Sequence, residues 1–310
     1  MELSSCRLCP RKCGVDRLRG QRGYCAAGDC PVVYRHGLHE GEEPPISGHR
    51  GSGTVFFSHC TLRCRYCQNY PWSQEHQGRV VDVPALSELF RGLQRQGAHN
   101  WNLVSPTPWW PWIDEALKRV KNDGIRLPIV YNTSGFESIA TLERFAGQFD
   151  IALTDLRYAS ADTAHAGSDC PEYVTHARQA LRWFCDRLPP LALDPADGTA
   201  RRGVICRLLV LPGHAAEAKE SLRWLREQIG TAISVSLMAQ YTPLYRATEA
   251  PWNRRVRLDE YDGVRDELEQ LGFENGWIQA WGDTPPDTLL GCRMAADTQA
   301  PENNERTHSR

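Results

Sequence analysis

No stretch of the 310-residue chain approaches the ~20 consecutive apolar residues of a membrane-spanning helix, so no helical span is expected. The opening residues, MELSSCRLCPRKCG, lack the apolar run of a secretion signal. An excess of either charge is also missing. The formal net charge of −2 gives nucleic acid or an anionic membrane no general reason to bind, and the basic cluster at residues 7–22 lacks interleaved aromatics. Internal repeats are absent. Cysteine, by contrast, is plentiful: twelve in a chain without an export signal favour metal ligation over disulfides and a cytoplasmic location. With 41% hydrophobic and 24% charged residues, the chain has the composition and length to bury a sizeable core.

Three of the cysteines, Cys60, Cys64 and Cys67, form a Cys-x3-Cys-x2-Cys run just after a short apolar strand at 54–58. Three thiolates so close suit three irons of one [4Fe–4S] cluster. No fourth cysteine stands in the run, which leaves one iron for a ligand other than a side chain, with the ring of Tyr66 beside it. Structural zinc completed by a distant ligand and inert buried thiols are the alternatives. On the zinc reading the chain is a zinc-stabilised binding module rather than an enzyme.

A second group, Cys6, Cys9 and Cys13 with Cys25 following, lies in a segment too polar to fold by burial. Pro10, Gly14, Gly20 and Gly23 supply tight turns. Arg7, Arg11, Lys12, Arg17, Arg19 and Arg22 surround the group and are expected to lower its thiol pKa values. An additional iron–sulfur cluster, a four-thiolate zinc site or reduced surface thiols all match this spacing. Cys30 falls outside the pattern.

Residues 31–53, with two adjacent prolines and five glycines, read as an irregular connector, and Glu40, Glu42 and Glu43 as a solvated acidic loop. From residue 80 onward helix and strand patterns alternate. Apolar periodicity predicts helices at 85–96, 112–122, 138–147, 172–186, 217–228 and 259–271. Strands are expected at 54–58, 100–104, 128–131, 149–153, 203–211 and 232–238, with a last short one at 277–281 and a loop at 189–202. Six strand–helix units signal a parallel sheet with helical crossovers, an α/β fold forming a partial (β/α)6 barrel open on one side. The expected division is a Cys-rich segment and connector at 1–50, the core at 51–290 and a polar disordered tail at 295–310.

The triad with its aromatic residue resembles the radical S-adenosylmethionine superfamily. That resemblance implies that S-adenosylmethionine chelates the open iron, and that an electron from the cluster releases a 5′-deoxyadenosyl radical. Further motifs follow in order: Cys-x2-Cys-Pro-Arg-x-Cys-Gly-Val, Glu-Glu-Pro-Pro-Ile-Ser-Gly, Asn-Thr-Ser-Gly-Phe, Thr-Asp-Leu-Arg-Tyr and Arg-x-x-Val-Leu-Pro-Gly-His. Together they resemble the branch similar to pyruvate formate-lyase activating enzyme, with an extra N-terminal Cys motif. The resemblance implies a flavodoxin- or ferredoxin-like electron donor and hydrogen abstraction from a substrate, a glycyl-radical enzyme among the candidates. Arg157 stands where Lys is usual, and Leu208 follows Arg207 where His is frequent.

Ligands of parallel α/β folds bind at the carboxyl ends of the strands, which selects the remaining candidates. Ser105 and Thr107 lie in a Ser-Pro-Thr-Pro stretch where the superfamily often carries Gly-Gly-Glu-Pro; they hold the amino group of S-adenosylmethionine or form an ordinary turn. Asn132, Thr133 and Ser134 reach ribose or carboxylate, or cap the next helix. Asp155 orients substrate, binds a cation, or pairs with Arg157. Arg207, in an apolar strand, requires an anion: the cofactor's carboxylate or a neighbouring acid. Residues 240–243 close the circuit with polar groups, and Trp109, Trp110, Trp112, Trp252, Trp277 and Trp281 are assigned to packing.

Overall fold

The computed structural model describes residues 2–282. The tail at 295–310 and the end of the expected core lie outside the described residues. The strands are β1 (Val32–His39), β2 (Ser52–Phe57), β3 (Arg79–Val80), β4 (Trp101–Val104), β5 (Ile129–Thr133), β6 (Ile151–Asp155), β7 (Ala192–Leu193), β8 (Ala200–Leu209), β9 (Ser234–Met238) and β10 (Gly276–Ile278). The helices are α1 (Pro44–Ser47), α2 (Tyr70–Ser73), α3 (Val83–Arg95), α4 (Trp110–Asn122), α5 (Ile139–Phe145), α6 (Ala161–Ser168), α7 (Tyr173–Arg187), α8 (Ala215–Gln228) and α9 (Leu258–Gln270). None is long and apolar enough to cross a membrane.

One sheet runs in the order β10-β9-β8-β6-β5-β4-β2-β1-β3. The six strands from β2 to β9 are parallel and sit side by side in chain order, each returned by a helix, as strand–helix alternation demands. The sheet is mixed at one edge, where β1 pairs antiparallel with β2.

Parity along the strands separates core from site. Val55, Leu103, Tyr131, Ala152, Cys206 and Leu237 point to the helices and join a large core with Phe90, Leu117, Phe184 and Leu225. Their sequence neighbours point to the other face. There Val130, Ile151, Leu153 and Ile205 pack with Ile46 of α1 as a small apolar floor. Asn132, Asp155 and Arg207 share the parity of that floor and continue it toward the carboxyl ends, and the register sets Asp155 directly beside Arg207. Asn132, Asp155 and Arg207 therefore emerge on that face at the carboxyl ends of their strands.

Three sequence expectations are corrected. The stretch 31–53 is not irregular: it carries β1 and α1, and Pro44-Pro45 open α1 because a first helical turn needs no N–H donors. The loop 189–202 contains β7, a two-residue strand pairing with β8. A helix without sequence signal, α6, holds only small and polar residues; Ser160 caps it by accepting from Thr163 N, and Glu217 of α8 accepts from Ser160 and Thr163. Five of the six tryptophans pack as expected or nearly so, whereas Trp281 is 47% exposed.

Candidate functional site

A cavity of about 220 Å³ opens at the carboxyl ends of the parallel strands. Cys60, Cys64, Cys67 and Tyr66 line it after β2, Ser105 after β4, Asn132, Thr133 and Ser134 at β5, Asp155 and Arg157 at β6, Arg207 at β8, and Gln240, Tyr241 and Thr242 after β9. The backbone bends sharply here: His59 (φ 70°) and Ser105 (φ 57°) take left-handed conformations that side-chain-bearing residues seldom adopt outside functional sites.

Each sulfur of the triad has a hydrogen-bond donor. Arg157 Nη1 and Ser168 Oγ both lie 3.0 Å from Cys64 Sγ, Ser73 Oγ lies 3.1 Å from Cys67 Sγ, and Leu62 N lies 3.5 Å from Cys60 Sγ. Burial pushes the thiols of Cys60 and Cys67 up, to about 12 and about 11. Thiolates here need positive charge from a bound metal, and donors aimed at sulfur suit that state. Tyr66 stacks on Trp252 at 5.6 Å, and its hydroxyl meets Tyr158 OH at 2.6 Å, which meets Ser168 Oγ at 2.5 Å. A hydroxyl chain thus ends on Cys64.

Asp155 is a hub. Its Oδ2 accepts from Arg157 Nε and Nη2 at 3.0 and 2.5 Å, and its Oδ1 from Arg207 Nε at 2.7 Å. Burial alone would raise its pKa, but the two guanidiniums outweigh it and hold the carboxyl below its ordinary range. Arg207 also donates to Asn132 Oδ1 at 2.6 Å and reaches Glu42 Oε2 at 3.4 Å. Of the readings open for Arg207, the structure supplies the neighbouring acids. Asp155 does pair with Arg157, which in turn reaches the triad.

Glu42 and Glu43 are not in a solvated loop, although Glu40 is exposed. Glu42 Oε1 accepts from Asn102 and Asn132 Nδ2 at 2.9 and 3.2 Å. Glu43 is buried and lines the cavity; its Oε2 has no hydrogen-bond partner. Burial, with Glu42 adding to it, raises its pKa against the pull of Arg207. The missed signal was Pro44-Pro45, which fixes the two acids on a rigid turn. Ser168 had no local signal, and the reach of Arg157 to Cys64 had none either, because Cys64 lies about a hundred residues away in sequence.

Thr107 departs from its expected place, whereas Ser134 lines the cavity but does not cap the next helix. Thr107 is buried outside the cavity lining and donates to Glu137 Oε1 at 2.7 Å. The Ser134 carbonyl accepts from Tyr173 OH at 2.8 Å, and neither Ser134 nor Ser138 caps α5 with its side chain. Glu137 also accepts from Thr133 Oγ1. Burial raises its pKa from 4.5 to about 7, against the hydrogen bonds from Thr133, Thr107 and Tyr131. A carboxyl raised on folding favours its protonated form, so its stabilisation is complete below 4.5 and is lost as pH rises through about 7. Urea denaturation across that window should show the wild type losing roughly 3 kcal/mol relative to Glu137→Gln, whose amide mimics the neutral acid. Parallel pH profiles for the two proteins would refute this.

The N-terminal cysteines also gather. Cys13 and Cys25 lie near Cys9, and Cys6 and Cys13 lie near Cys25. Burial pushes the Cys9 and Cys25 thiols up, overturning the expectation that surrounding arginines lower them; the apolar contact outweighs the charge.

No protein-family model matches the chain. An uncharacterized protein of Methanocaldococcus jannaschii is 25% identical over 278 residues, covering 87% of this chain and 76% of its own. The peptide-bound SuiB of Streptococcus suis superposes with a TM-score of 0.48 and 13% identity, over 71% of this chain and 46% of that one. The radical S-adenosylmethionine methyltransferase TsrM of Kitasatospora setae, with cobalamin and a [4Fe–4S] cluster bound, gives 0.50 and 11% identity, over 87% of this chain and 56% of that one. The chain spans about half the length of these solved structures. The chain thus shares the fold of this radical S-adenosylmethionine methyltransferase.

Proposed function

We propose that the protein is a radical S-adenosylmethionine enzyme. The observation that carries this reading is the gathering of Cys60, Cys64 and Cys67 in one cavity with the polar strand ends. These thiolates would hold a [4Fe–4S] cluster, and S-adenosylmethionine would occupy the space between them and Asn132, Asp155 and Arg207. When bound, the pair supplies one-electron cleavage of the sulfonium to a 5′-deoxyadenosyl radical, chemistry that belongs to the cofactors. The chain's own residues bind and orient. Glu43, which lines the cavity and has one unpartnered carboxylate oxygen, supplies the acid that the Ser105 to Pro108 stretch lacks and suits the ammonium of the cofactor. Arg157 and Ser168 hold Cys64, and the stack of Tyr66 on Trp252 closes one side to water.

The motifs shared with activating enzymes extend the reading to hydrogen abstraction from a glycine of a partner enzyme, with a flavodoxin- or ferredoxin-like donor. Anaerobically reconstituted protein, given dithionite and S-adenosylmethionine, should form 5′-deoxyadenosine. With Cys64→Ala, formation should fall at least ~1,000-fold, since a cluster lacking an anchoring thiolate is not retained. A colourless protein carrying zinc, or an intact cluster that yields no 5′-deoxyadenosine, overturns the proposal. A glycyl doublet in the electron paramagnetic resonance spectrum of a partner identifies the activating reaction.

A further inference from the structure

Residues 2–30 hold their shape with very little core. Their buried apolar side chains are Leu3, Leu8 and Ala27, and their regular structure is two short 3-10 turns, Glu2–Ser5 and Arg17–Arg19. The chain is instead wound around sulfur. Cys6 N donates to Val15 O and Gly14 N to Cys6 O, both at 2.9 Å, closing a loop over Cys9 and Cys13. Gly23 presses on this loop so closely that a Cβ would lie 2.8 Å from Cys13 Sγ, and Tyr24 N donates to the same sulfur at 3.4 Å.

The charge inside this knot is unbalanced. Arg17 is 1% exposed. Its Nε donates to Gly28 O at 2.7 Å and its Nη1 to Pro108 O at 2.8 Å, with Cys6 Sγ at 4.0 Å, while Nη2 has no partner. Its guanidinium also lies about 5 Å from the ring centres of Trp109 and Trp112. A cation this deeply buried among carbonyls, rings and thiols requires an anion. A metal held by four thiolates carries net negative charge and places it beside Cys6.

Among the described residues no three His, Cys, Asp or Glu side chains converge on the sphere of a single ion. Zinc draws its sulfurs to about 2.3 Å from one centre. A polynuclear cluster instead takes each thiolate at a separate corner and does not require that convergence.

We propose that Cys6, Cys9, Cys13 and Cys25 hold a second [4Fe–4S] cluster, with Arg17 as its buried counter-charge. The knot abuts the loop of the first triad: a ring nitrogen of His59, the residue before Cys60, is 2.9 Å from Cys25 O, and Arg11 and Arg63 donate to Asp169 O and Tyr24 O. The inference has its own four ligands and stands apart from the reading of Cys60, Cys64 and Cys67.

The test is the full chain with Cys60, Cys64 and Cys67 all replaced by alanine, reconstituted anaerobically with iron and sulfide. About four irons per chain should remain, with brown absorbance and a paramagnetic signal after reduction; the unaltered chain should hold about eight. Adding Cys9→Ser and Cys13→Ser should abolish the remainder. Iron-free triple variant, or one zinc in place of iron, overturns the inference without touching the proposed function. An unaltered chain that holds only about four irons, all of them kept by the triple variant, leaves the inference standing and sinks the other. Arg17→Met keeps all four ligands and should shift the midpoint potential of this cluster to more negative values, because removing a nearby cation disfavours the reduced form. An unchanged midpoint refutes the role of Arg17.

Discussion

Arg207→Met should lower the unfolding free energy by about 3–5 kcal/mol, measured by urea denaturation at neutral pH. The size follows from what the guanidinium leaves behind. Asp155, Glu42 and Asn132 all lose a donor, and the side chains of Arg207, Asp155 and Glu42 are only 15%, 12% and 9% exposed. Water therefore cannot re-solvate the abandoned carboxylates. Arg207→Lys should recover less than half of the loss, because a single ammonium cannot address three partners that a planar fork spans. Adding Asp155→Asn to Arg207→Met should restore a further part, giving a coupling energy of about 1–3 kcal/mol in a double-mutant cycle. A loss below ~0.5 kcal/mol for Arg207→Met, the range of ordinary surface changes, would show that the ion cluster contributes nothing to the fold.

Gly135→Ala should cost about 2–4 kcal/mol, summing the left-handed backbone with overpacking. Gly135 adopts φ +83°, and a Cβ there would lie 2.4 Å from Asp155 O. That oxygen is backbone at the end of β6 and also accepts from Tyr173 OH at 3.0 Å, so it cannot swing aside. The change should thus displace Asp155 and Arg157 as well as destabilise. Gly124→Ala separates the two causes: it has φ +81° but nothing within 4 Å of a built Cβ, and should cost only about 1 kcal/mol. Equal losses at the two positions, read from thermal or urea unfolding, would refute the steric part.

Local chemistry was legible in the sequence, and partnership across strands was not. Cys60, Cys64 and Cys67 announce themselves by spacing, and Asn132, Asp155 and Arg207 by standing as polar residues at the ends of apolar strands. The parallel order followed from regular alternation. Glu42 and Glu43 were misread because their environment comes from β4, β5 and β8, far along the chain, and acidic residues beside glycine and proline match a solvated turn equally well. Thr107 was misplaced for a similar reason: its partner Glu137 is a buried acid whose cost is met by three hydroxyl donors that only the folded chain assembles. The helix α6 lacks an apolar stripe, yet carries Ser168 to Cys64.

The neighbour-by-neighbour order of the parallel strands has a consequence for biosynthesis. A chain emerging from its N-terminus can lay each parallel strand against the edge left by the one before, so assembly advances vectorially with a single exposed seam. Asp155 reaches its place some fifty residues before Arg207 is made. During that interval the acids of the half-built sheet have Arg157 as their nearby cation, and the seam is sealed electrostatically only when β8 arrives.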